Sequence, residues 1–303
     1  MIIDTYKSGF VAIIGRPNVG KSTFLNTIIG KKIAITTDKP QTTRNRILGI
    51  YTTDEYQIAF TDTPGIHKPT TELQRRMVNA SYEATSGVDA IIFMTTPVKN
   101  VLPGDQIILD NLKKTKAKVF LVINKVDQLK NFNDIDLTIA KYMDLYPFEG
   151  VFPISVLEKK NLDHLMDSIK QILPFGPKFY PDDMISDHNE RFLVSELIRE
   201  KILIETKEEI PHSVAVIVDS MKEDEDGNYI DIYATIFVER DSQKKIIIGH
   251  EGDMIKKIKE RSLKDIKKLL NHKCHLDLWV KVKKDWKDKA SDLRALGYSV
   301  DNF

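Results

Sequence analysis

The sequence predicts an α/β fold, a doubly wound and mostly parallel sheet, followed by a smaller α+β domain. In the first part of the chain, short apolar runs alternate with segments of helical periodicity, as they do where helices connect parallel strands. Three prolines and a glycine then fall within "LPFGPKFYP" at 173–181, where proline fixes the backbone and removes amide donors. We therefore predict one domain over 1–173, a semi-rigid linker over 174–182 and a second domain over 183–303.

The apolar runs of the first domain have the length of strands, and helical patterns separate them. The predicted strands are 9–15, two strands within 46–65 around a turn at 53–55, and then 89–96, 117–125 and 151–155. The predicted helices are 21–30, 72–86, 105–114, 134–144 and 161–172. Because a hairpin pairs its strands antiparallel, the two strands within 46–65 would add one antiparallel strand at an edge of the sheet.

The second domain follows a different order, helix, strand, strand, short element, helix and strand. These elements are predicted at 190–206, 213–221, 229–239, 244–249, 253–270 and 274–283. We interpret Trp279 and Trp286 as packing residues. The segment "NHKCH" at 271–275 is interpreted as a turn, because its spacing is too tight for a tetrahedral metal site.

Whole-chain composition indicates two domains and no particular class of partner. The chain has 303 residues, of which 42% are hydrophobic, and a formal net charge of +1. Its single cysteine, Cys274, excludes an internal disulfide and fits a reducing compartment. No signal-peptide pattern and no apolar run of the roughly 20 residues that span a bilayer are found. We therefore expect a cytoplasmic protein.

Local charge is more informative than global charge. Residues 181–240 carry 6 Lys and Arg against 16 Asp and Glu, whereas residues 241–290 carry 15 against 8. An acidic stretch thus runs directly into a basic one within the second domain. A solvated surface is the ordinary explanation of a charge run, but this asymmetry also fits a surface that faces a polyanion.

The segment "GRPNVGKS" at 15–22 matches a Walker A phosphate-binding loop in full, between a predicted strand and a predicted helix. Backbone amides freed by the glycines would point at phosphates, and the helix N-terminus would add positive partial charge. Lys21 would reach the β- and γ-phosphates, and the Ser22 hydroxyl would bind Mg²⁺. The predicted nucleotide contacts here are Gly15, Arg16, Pro17, Asn18, Val19, Gly20, Lys21, Ser22 and Thr23.

A second motif, "DTPG" at 62–65, ends a predicted strand, and its residues Asp62, Thr63, Pro64 and Gly65 are assigned to the nucleotide site. Asp62 would hold Mg²⁺ through water, and the Gly65 amide would approach the γ-phosphate. The polar segment 41–45 would supply a threonine to Mg²⁺ only when γ-phosphate is bound; Thr43 is preferred and Thr42 is the alternative. Catalysis is assigned to Lys21, Thr43 and Gly65, and the magnesium site to Ser22, Thr43 and Asp62.

A third motif, "NKVD" at 124–127, selects the base. The Asp127 carboxylate can accept hydrogen bonds from N1–H and the exocyclic amine of guanine, whereas adenine offers no donor there. Asn124 would orient the loop and meet the base edge, and the Lys125 stem would cover the ring. Ser155 and Val156, after the next strand, would meet guanine O6. The three motifs together predict GTP as the ligand and argue against an ATP-dependent kinase or transporter subunit.

The residue after Gly65 is not the glutamine that orients the attacking water in Ras-like enzymes. Ile66 occupies that position and cannot do this work, and His67 follows it. A histidine in a surface loop is more often incidental than catalytic. We therefore expect slow intrinsic hydrolysis.

In the basic part of the second domain, Gly249, His250, Glu251 and Gly252 form a GxxG sequence before a lysine-rich helix. This resembles the loop with which a KH domain clamps single-stranded nucleic acid, and the order of elements is compatible with the type II KH arrangement. The predicted RNA contacts are Gly249, His250, Glu251, Gly252, Lys256, Lys257 and Lys259. Glu251 is an acidic departure from the basic or neutral residue usual in such loops.

Taken together, these motifs resemble the Era family, ribosome-assembly GTPases with a TrmE-Era-EngA-like P-loop domain and a C-terminal type II KH domain. The resemblance includes "KPQTTRNRILGI", "RFLVSELIREKI", "VERDSQKKIIIG" and "LWVKVKKDW" and covers nearly the whole chain. It implies GTP hydrolysis with Mg²⁺, a monovalent cation such as K⁺ at Asn18, and a monomer. It also implies binding near the 3′ end of small-subunit ribosomal RNA during maturation of the small ribosomal subunit, and peripheral contact with the inner face of the cell membrane.

A second hypothesis remains open at this stage. The chain would then be a GTP-gated protein-interaction module whose KH-like domain is silent toward RNA. Relatives with tandem GTPase domains carry such a module without GxxG, so the GxxG sequence at 249–252 favours RNA binding.

Overall fold

The computed structural model describes residues 5–98, 100–129, 133–207 and 210–298, which form two compact units. The first comprises the chain up to Ile33, Thr43–Pro69 and Arg76–Asp187. The second comprises Ala34–Thr42, Thr70–Arg75 and the chain from His188 onward. Among the described residues, no helix is both long enough and apolar enough to cross a bilayer.

The first unit is built on a six-stranded sheet. Its strands are β1 (Lys7–Ile14), β2 (Ile47–Thr52), β3 (Tyr56–Asp62), β4 (Ala90–Thr95), β5 (Lys118–Ile123) and β6 (Gly150–Pro153). They lie in the order β2-β3-β1-β4-β5-β6, and every pair is parallel except the edge pair β2–β3. The predicted doubly wound sheet with one antiparallel edge strand is therefore confirmed.

Helices connect these strands, with bounds that differ from the predicted ones by no more than a few residues. They are α1 (Lys21–Ile29), α2 (Glu72–Glu83), α3 (Pro103–Leu112), α4 (Asn133–Met143) and α5 (Leu162–Ile172). All six residues of β4 are buried, because a central parallel strand has helices on both faces. The carboxyl ends of parallel strands share one edge of the sheet, so the loops after β1, β3, β5 and β6 meet there.

The second unit contains a three-stranded sheet of β7 (Ala215–Glu223), β8 (Ile230–Val238) and β9 (Cys274–Val282) in that order. β7 and β8 are antiparallel, and β8 and β9 are parallel. Its helices are α6 (Glu190–Glu205), α7 (Ile210–Ser213), α8 (Asp241–Ile248), α9 (Asp253–Leu270) and α10 (Ala290–Ala295). The short element predicted at 244–249 is mostly the end of α8, and the pattern analysis did not identify the short helices α7 and α10.

The two tryptophans of this unit differ in environment. Trp286 is fully buried, stacks on Tyr298 with ring centroids 5.8 Å apart and donates its indole N–H to the Ser213 carbonyl. Trp279 is 64% exposed, so its interpretation as a packing residue is wrong. The reason is the alternation along β9, where Leu276 and Val280 face the core and Trp279 takes the opposite face.

The proline-rich segment after α5 is bonded to the first unit. The buried Gln57 side chain accepts hydrogen bonds from the backbone amides of Phe179 and Tyr180 at 2.8 and 3.0 Å, and donates to the Tyr180 carbonyl. Pro174 accepts a further bond from Ser8. These bonds attach this part of the chain to β3 and β1, while the domain limits given above stay a prediction.

Candidate nucleotide site and nucleic-acid surface

The phosphate loop follows β1 and leads into α1. Its lysine, Lys21, is 6% exposed and donates to the carbonyls of Gly15 and Arg16 at 3.2 and 3.1 Å. Burial lowers the pKa of the Lys21 ammonium to about 8, although the Asp62 carboxylate opposes this shift. An ammonium held by the carbonyls of this loop lies where the amides and the helix N-terminus favour phosphate.

Three oxygen-bearing side chains from separate segments meet beside this lysine. Ser22 Oγ lies 2.5 Å from Asp62 Oδ2 and 2.8 Å from Thr43 Oγ1, and Thr43 Oγ1 lies 3.5 Å from the same carboxylate oxygen. Burial raises the pKa of Asp62 to about 6, while Lys21 and the two hydroxyls oppose the increase. Two hydroxyls and a carboxylate form a donor set suited to a hard divalent cation such as Mg²⁺.

The structure separates the two threonines considered for the magnesium site. Thr43 lies with Ser22 and Asp62, as described above. The Thr42 hydroxyl instead donates to the Lys39 carbonyl at 2.7 Å and lies 2.7 Å from the Thr37 hydroxyl. Of the two alternatives, Thr43 is therefore the one that the structure brings to the other predicted ligands.

The second motif lies directly against the phosphate loop. A Cβ atom at Gly65 would stand 2.7 Å from the backbone N and Cα of Pro17, so only glycine fits there. The next amide, of Ile66, donates to the Gly15 carbonyl. Thr63 and Pro64 form hydrogen bonds within the protein. Thr63 Oγ1 donates to the Ile13 carbonyl, and the Pro64 carbonyl accepts a hydrogen bond from the Ser81 hydroxyl.

The two residues after Gly65 differ in what they can contribute. Ile66 is buried in the core and carries no group that could orient a water. His67 Nδ1 lies 2.8 Å from the Gly65 carbonyl oxygen. Because a carbonyl only accepts, Nδ1 must carry the proton in this contact.

The two segments predicted to recognise guanine, after β5 and β6, bond to each other. Ser155 Oγ donates to Asp127 Oδ1 at 2.5 Å, and the Val156 amide donates to Asn124 Oδ1 at 3.1 Å. Ser155 is fully buried and Asp127 is half-buried. The serine thus fixes one carboxylate oxygen of Asp127 and sets the direction of the other.

Two side chains of the same motif also bond to the phosphate loop, through partners that the sequence analysis did not name. Asn124 Nδ2 donates to the Val19 carbonyl at 2.9 Å, and Lys125 Nζ donates to the Asn18 carbonyl at 2.8 Å. The sequence analysis also missed Asp105, a fully buried carboxylate that contacts Arg16. No local pattern marks these contacts, because their partners are distant along the chain.

In the second unit, the segment 249–252 has the backbone of a tight loop between α8 and α9. Gly249, Glu251 and Gly252 have φ of 78°, 49° and 82°, all in the left-handed region. His250 and Glu251 are exposed, and α9 begins at Asp253 immediately after the loop. The amides at the start of α9 are thus next to the turn that resembles a nucleic-acid clamp.

The three lysines predicted to contact RNA have different environments. Lys257 forms an ion pair at 2.5 Å with Glu205, whose side chain is only 6% exposed, and Lys259 pairs with Asp277 at 2.9 Å. Lys256 is exposed and forms no salt bridge with any other residue that the structure describes. The positive charges along this helix are therefore compensated to different degrees.

Comparison with known proteins matches both units. Residues 10–125 match the family model described as 50S ribosome-binding GTPase, and residues 209–287 match the KH domain model. Two solved structures each have a TM-score of 0.93 and 37% identity, covering 97% of this chain and 99% of theirs. One is a variant of Aquifex aeolicus Era bound to GDP and AlF4⁻, and the other is Era in complex with MgGDPNP and nucleotides 1506–1542 of 16S ribosomal RNA. With this identity along almost its entire length, the chain belongs to the Era family of GTPases.

Proposed function

We propose that this chain is a GTP-hydrolysing switch that binds small-subunit ribosomal RNA near its 3′ end and assists maturation of the small ribosomal subunit. The observation that carries the proposal is the similarity, over 97% of the chain, to an Era structure containing both MgGDPNP and 16S ribosomal RNA. The two binding surfaces described above supply the chemistry for each ligand.

For GTP, the proposal assigns phosphate binding to the loop 15–20 with Lys21, and Mg²⁺ to Ser22, Thr43 and Asp62. Held by these three residues, a bound Mg²⁺ would supply positive charge to offset the negative charge that develops on the phosphates during hydrolysis. Support comes from the convergence of these three side chains within 3.5 Å of one another. Asp127, with one oxygen held by Ser155, would accept the guanine N–H groups.

For RNA, the proposal assigns the clamp to Gly249–Gly252 and the positive charge to α9. Loops of this kind hold the backbone of a single strand through amides and a helix N-terminus. The left-handed backbone at Gly249, Glu251 and Gly252 supports this assignment. Sequence specificity would come from bases splayed over the surface beside the loop.

A monovalent cation at Asn18 is a finer part of the same proposal. Asn18 lies in the exposed part of the phosphate loop, and Lys125 holds its carbonyl. A cation there would supply charge that an arginine finger supplies in other enzymes. We expect faster turnover in K⁺ than in Na⁺, and loss of the difference in Asn18→Ala; equal rates in both salts with the wild type would reject the cation site.

To test the main proposal, the purified chain is incubated with cell extract in the presence of GDP or of a non-hydrolysable GTP analogue. The RNA that binds to the chain is then recovered and sequenced. We expect fragments that end at the 3′ end of small-subunit ribosomal RNA, with a yield that depends on the nucleotide. Recovery of proteins but no RNA in either state would favour the second hypothesis, a GTP-gated interaction module with an RNA-silent KH-like domain.

For the cellular location, the cytoplasm is expected from the composition of the chain, whereas the membrane contact rests on family resemblance alone. We propose a monomer in the cytoplasm with peripheral contact at the inner face of the cell membrane. Flotation with vesicles of anionic and neutral lipids tests the membrane contact, and absence from both floated fractions would remove it from the proposal.

A further inference from the structure

The start of the phosphate loop is tied to a buried carboxylate outside the nucleotide-binding motifs. Asp105, in the first turn of α3, is fully buried, and its Oδ2 lies 2.9 Å from Arg16 Nε. Arg16 is the second residue of the loop, and its side chain is only 19% exposed. This contact is an ion pair and not a hydrogen bond, because no acceptor lies in line with the N–H bond of Arg16 Nε.

Two hydroxyls from other elements hold this carboxylate. Tyr142 OH in α4 donates to Asp105 Oδ2 at 2.7 Å, and Thr95 Oγ1 at the end of β4 donates to it at 3.2 Å. Burial and the Asp105 charge raise the pKa of Tyr142, which therefore remains a donor. A buried anion with fixed donors is costly unless a cation accompanies it, and Arg16 is positioned to be that cation.

The arginine connects this anion to the loop that faces the phosphates. The Arg16 carbonyl accepts a hydrogen bond from Lys21 Nζ at 3.1 Å, so the position of Arg16 bears directly on the position of the lysine. Its stem lies along the first turn of α3, because a Cβ atom at Gly104 would stand 3.0 Å from Arg16 Cδ. The second half of the loop is held separately by Asn124 and Lys125.

We propose that Asp105 is a positioning residue for GTP binding, acting through Arg16 to hold the first half of the phosphate loop. It contacts Arg16 rather than the phosphate-facing side of the loop, so its effect passes through the arginine. The inference rests on the proposed GTP binding. Since the loop holds phosphates both in the bound substrate and during hydrolysis, losing this anchor weakens binding uniformly and raises KM more than it lowers kcat.

Arg16→Gln and Asp105→Asn test the inference from both sides of the contact. For each we expect the Kd for fluorescent GTP and GDP analogues to rise about tenfold, the loss typical of a charge-assisted contact, with kcat within about twofold of wild type. The double variant should be no more than about twofold weaker than the weaker single variant, because either change alone already removes the Arg16–Asp105 ion pair. Arg16→Lys, which keeps the charge, should bind within about threefold of wild type.

Asp110→Asn is the matched control. It removes an exposed carboxylate of the same helix that pairs with Lys113, and it should leave both Kd values unchanged. Unchanged Kd in folded Arg16→Gln, or additive losses in the double variant, would overturn the inference and leave Asp105 a residue of the core. If Asp105→Asn does not fold, Arg16→Gln alone still tests the inference.

The wild-type protein is measured in the same titration. If the wild type does not bind GTP, the proposed function is rejected, whereas the positioning role of Asp105 is judged only from the difference between the variants and the wild type.

Discussion

In the nucleotide site, side chains from separate motifs form hydrogen bonds with one another. The surface at Gly249–Gly252 differs, because it presents backbone amides and exposed charged side chains. Asp127 is fixed by Ser155, and Asn124 reaches across to Val19. Around the second surface, Glu251 and Lys256 are exposed. Because a network of buried polar groups penalises every unpaired member, we expect the first surface to select one ligand sharply. We expect the affinity of the second surface to change gradually with charge and salt.

The largest effect is expected where one polar group of the nucleotide site is changed from a hydrogen-bond acceptor to a donor. Asp127→Asn can offer its amide oxygen to the Ser155 hydroxyl, which turns its NH₂ toward the base, where guanine also donates. We expect GTP binding to weaken by about 10³-fold or more and xanthosine triphosphate, which carries an oxygen in place of the amine, to bind instead.

Competition titrations with both nucleotides measure this change of specificity. Glu158→Gln, an exposed carboxylate in the loop that contains Ser155, serves as the control and should bind GTP as wild type does. An Asp127→Asn protein with undiminished GTP affinity would show that the base is not recognised through this carboxylate.

A smaller but still large effect is expected from the backbone of the RNA surface. Gly252 has φ of 82°, a conformation that costs other residues energy, and an added carboxylate would face phosphate. Gly252→Asp should lower affinity for a single-stranded RNA corresponding to the 3′ end by about 100-fold or more. GTP hydrolysis should stay close to normal, because the residues proposed for catalysis belong to the other unit.

The control for that variant is another left-handed glycine of the same unit. Gly227 has φ of 66° in the turn between β7 and β8, and an added side chain there meets nothing within 4 Å. Fluorescence anisotropy with Gly227→Asp should match wild type. If Gly252→Asp bound RNA equally well, the loop would be a structural turn and the RNA-silent hypothesis would replace the one proposed.

The two regions also differ in how far sequence could predict them. The loops at 15–22, 62–65 and 124–127 could be located from the sequence because their constraints are local: each begins at the end of a strand, with Gly15, Asp62 or Asn124 at that point. The anchor of Arg16 could not, since Asp105 pairs with it only after the sheet brings α3 beside the loop. Likewise, Glu205 and Asp277 compensate two lysines of α9 from other elements.

Trp279 shows a signal that was present but outweighed. The order "CHLDLWVKV" over β9 alternates apolar and polar residues, which places the tryptophan on the same face as His275 and Asp277. The large aromatic side chain of Trp279 favoured burial, whereas the two-residue alternation of the strand favoured exposure. The structure follows the alternation. The limits of α8 were missed for another reason, because "KKIIIG" alone is too short to show a helical repeat.

Charge reversal in the loop at 249–252 should increase RNA affinity rather than reduce it. Glu251 already has φ of 49°, so Glu251→Lys replaces one side chain by another without a new backbone cost. We expect RNA affinity to rise about three- to tenfold at low salt, and the slope of log K against log salt to steepen by about one unit. Titrations at four salt concentrations measure both, with Glu225→Lys in the exposed acidic turn as control; equal gains in the two variants would indicate only a general charge effect.

The smallest expected effects distinguish the lysines of α9 from one another. Lys257 and Lys259 are paired with Glu205 and Asp277, so binding phosphate would require each to leave a carboxylate. Lys256 is exposed within the first turn of the helix, directly after the loop.

Lys256→Ala should therefore weaken RNA binding about threefold and reduce the salt slope by about 0.7, the value for one phosphate contact on a single strand. Lys257→Ala should change the slope by less than half of that, and Lys268→Ala, near the far end of the same helix, should leave it unchanged. Equal slopes for Lys256→Ala and Lys257→Ala would mean that the Glu205 pair opens freely when RNA binds, and the two lysines would then be equivalent contacts.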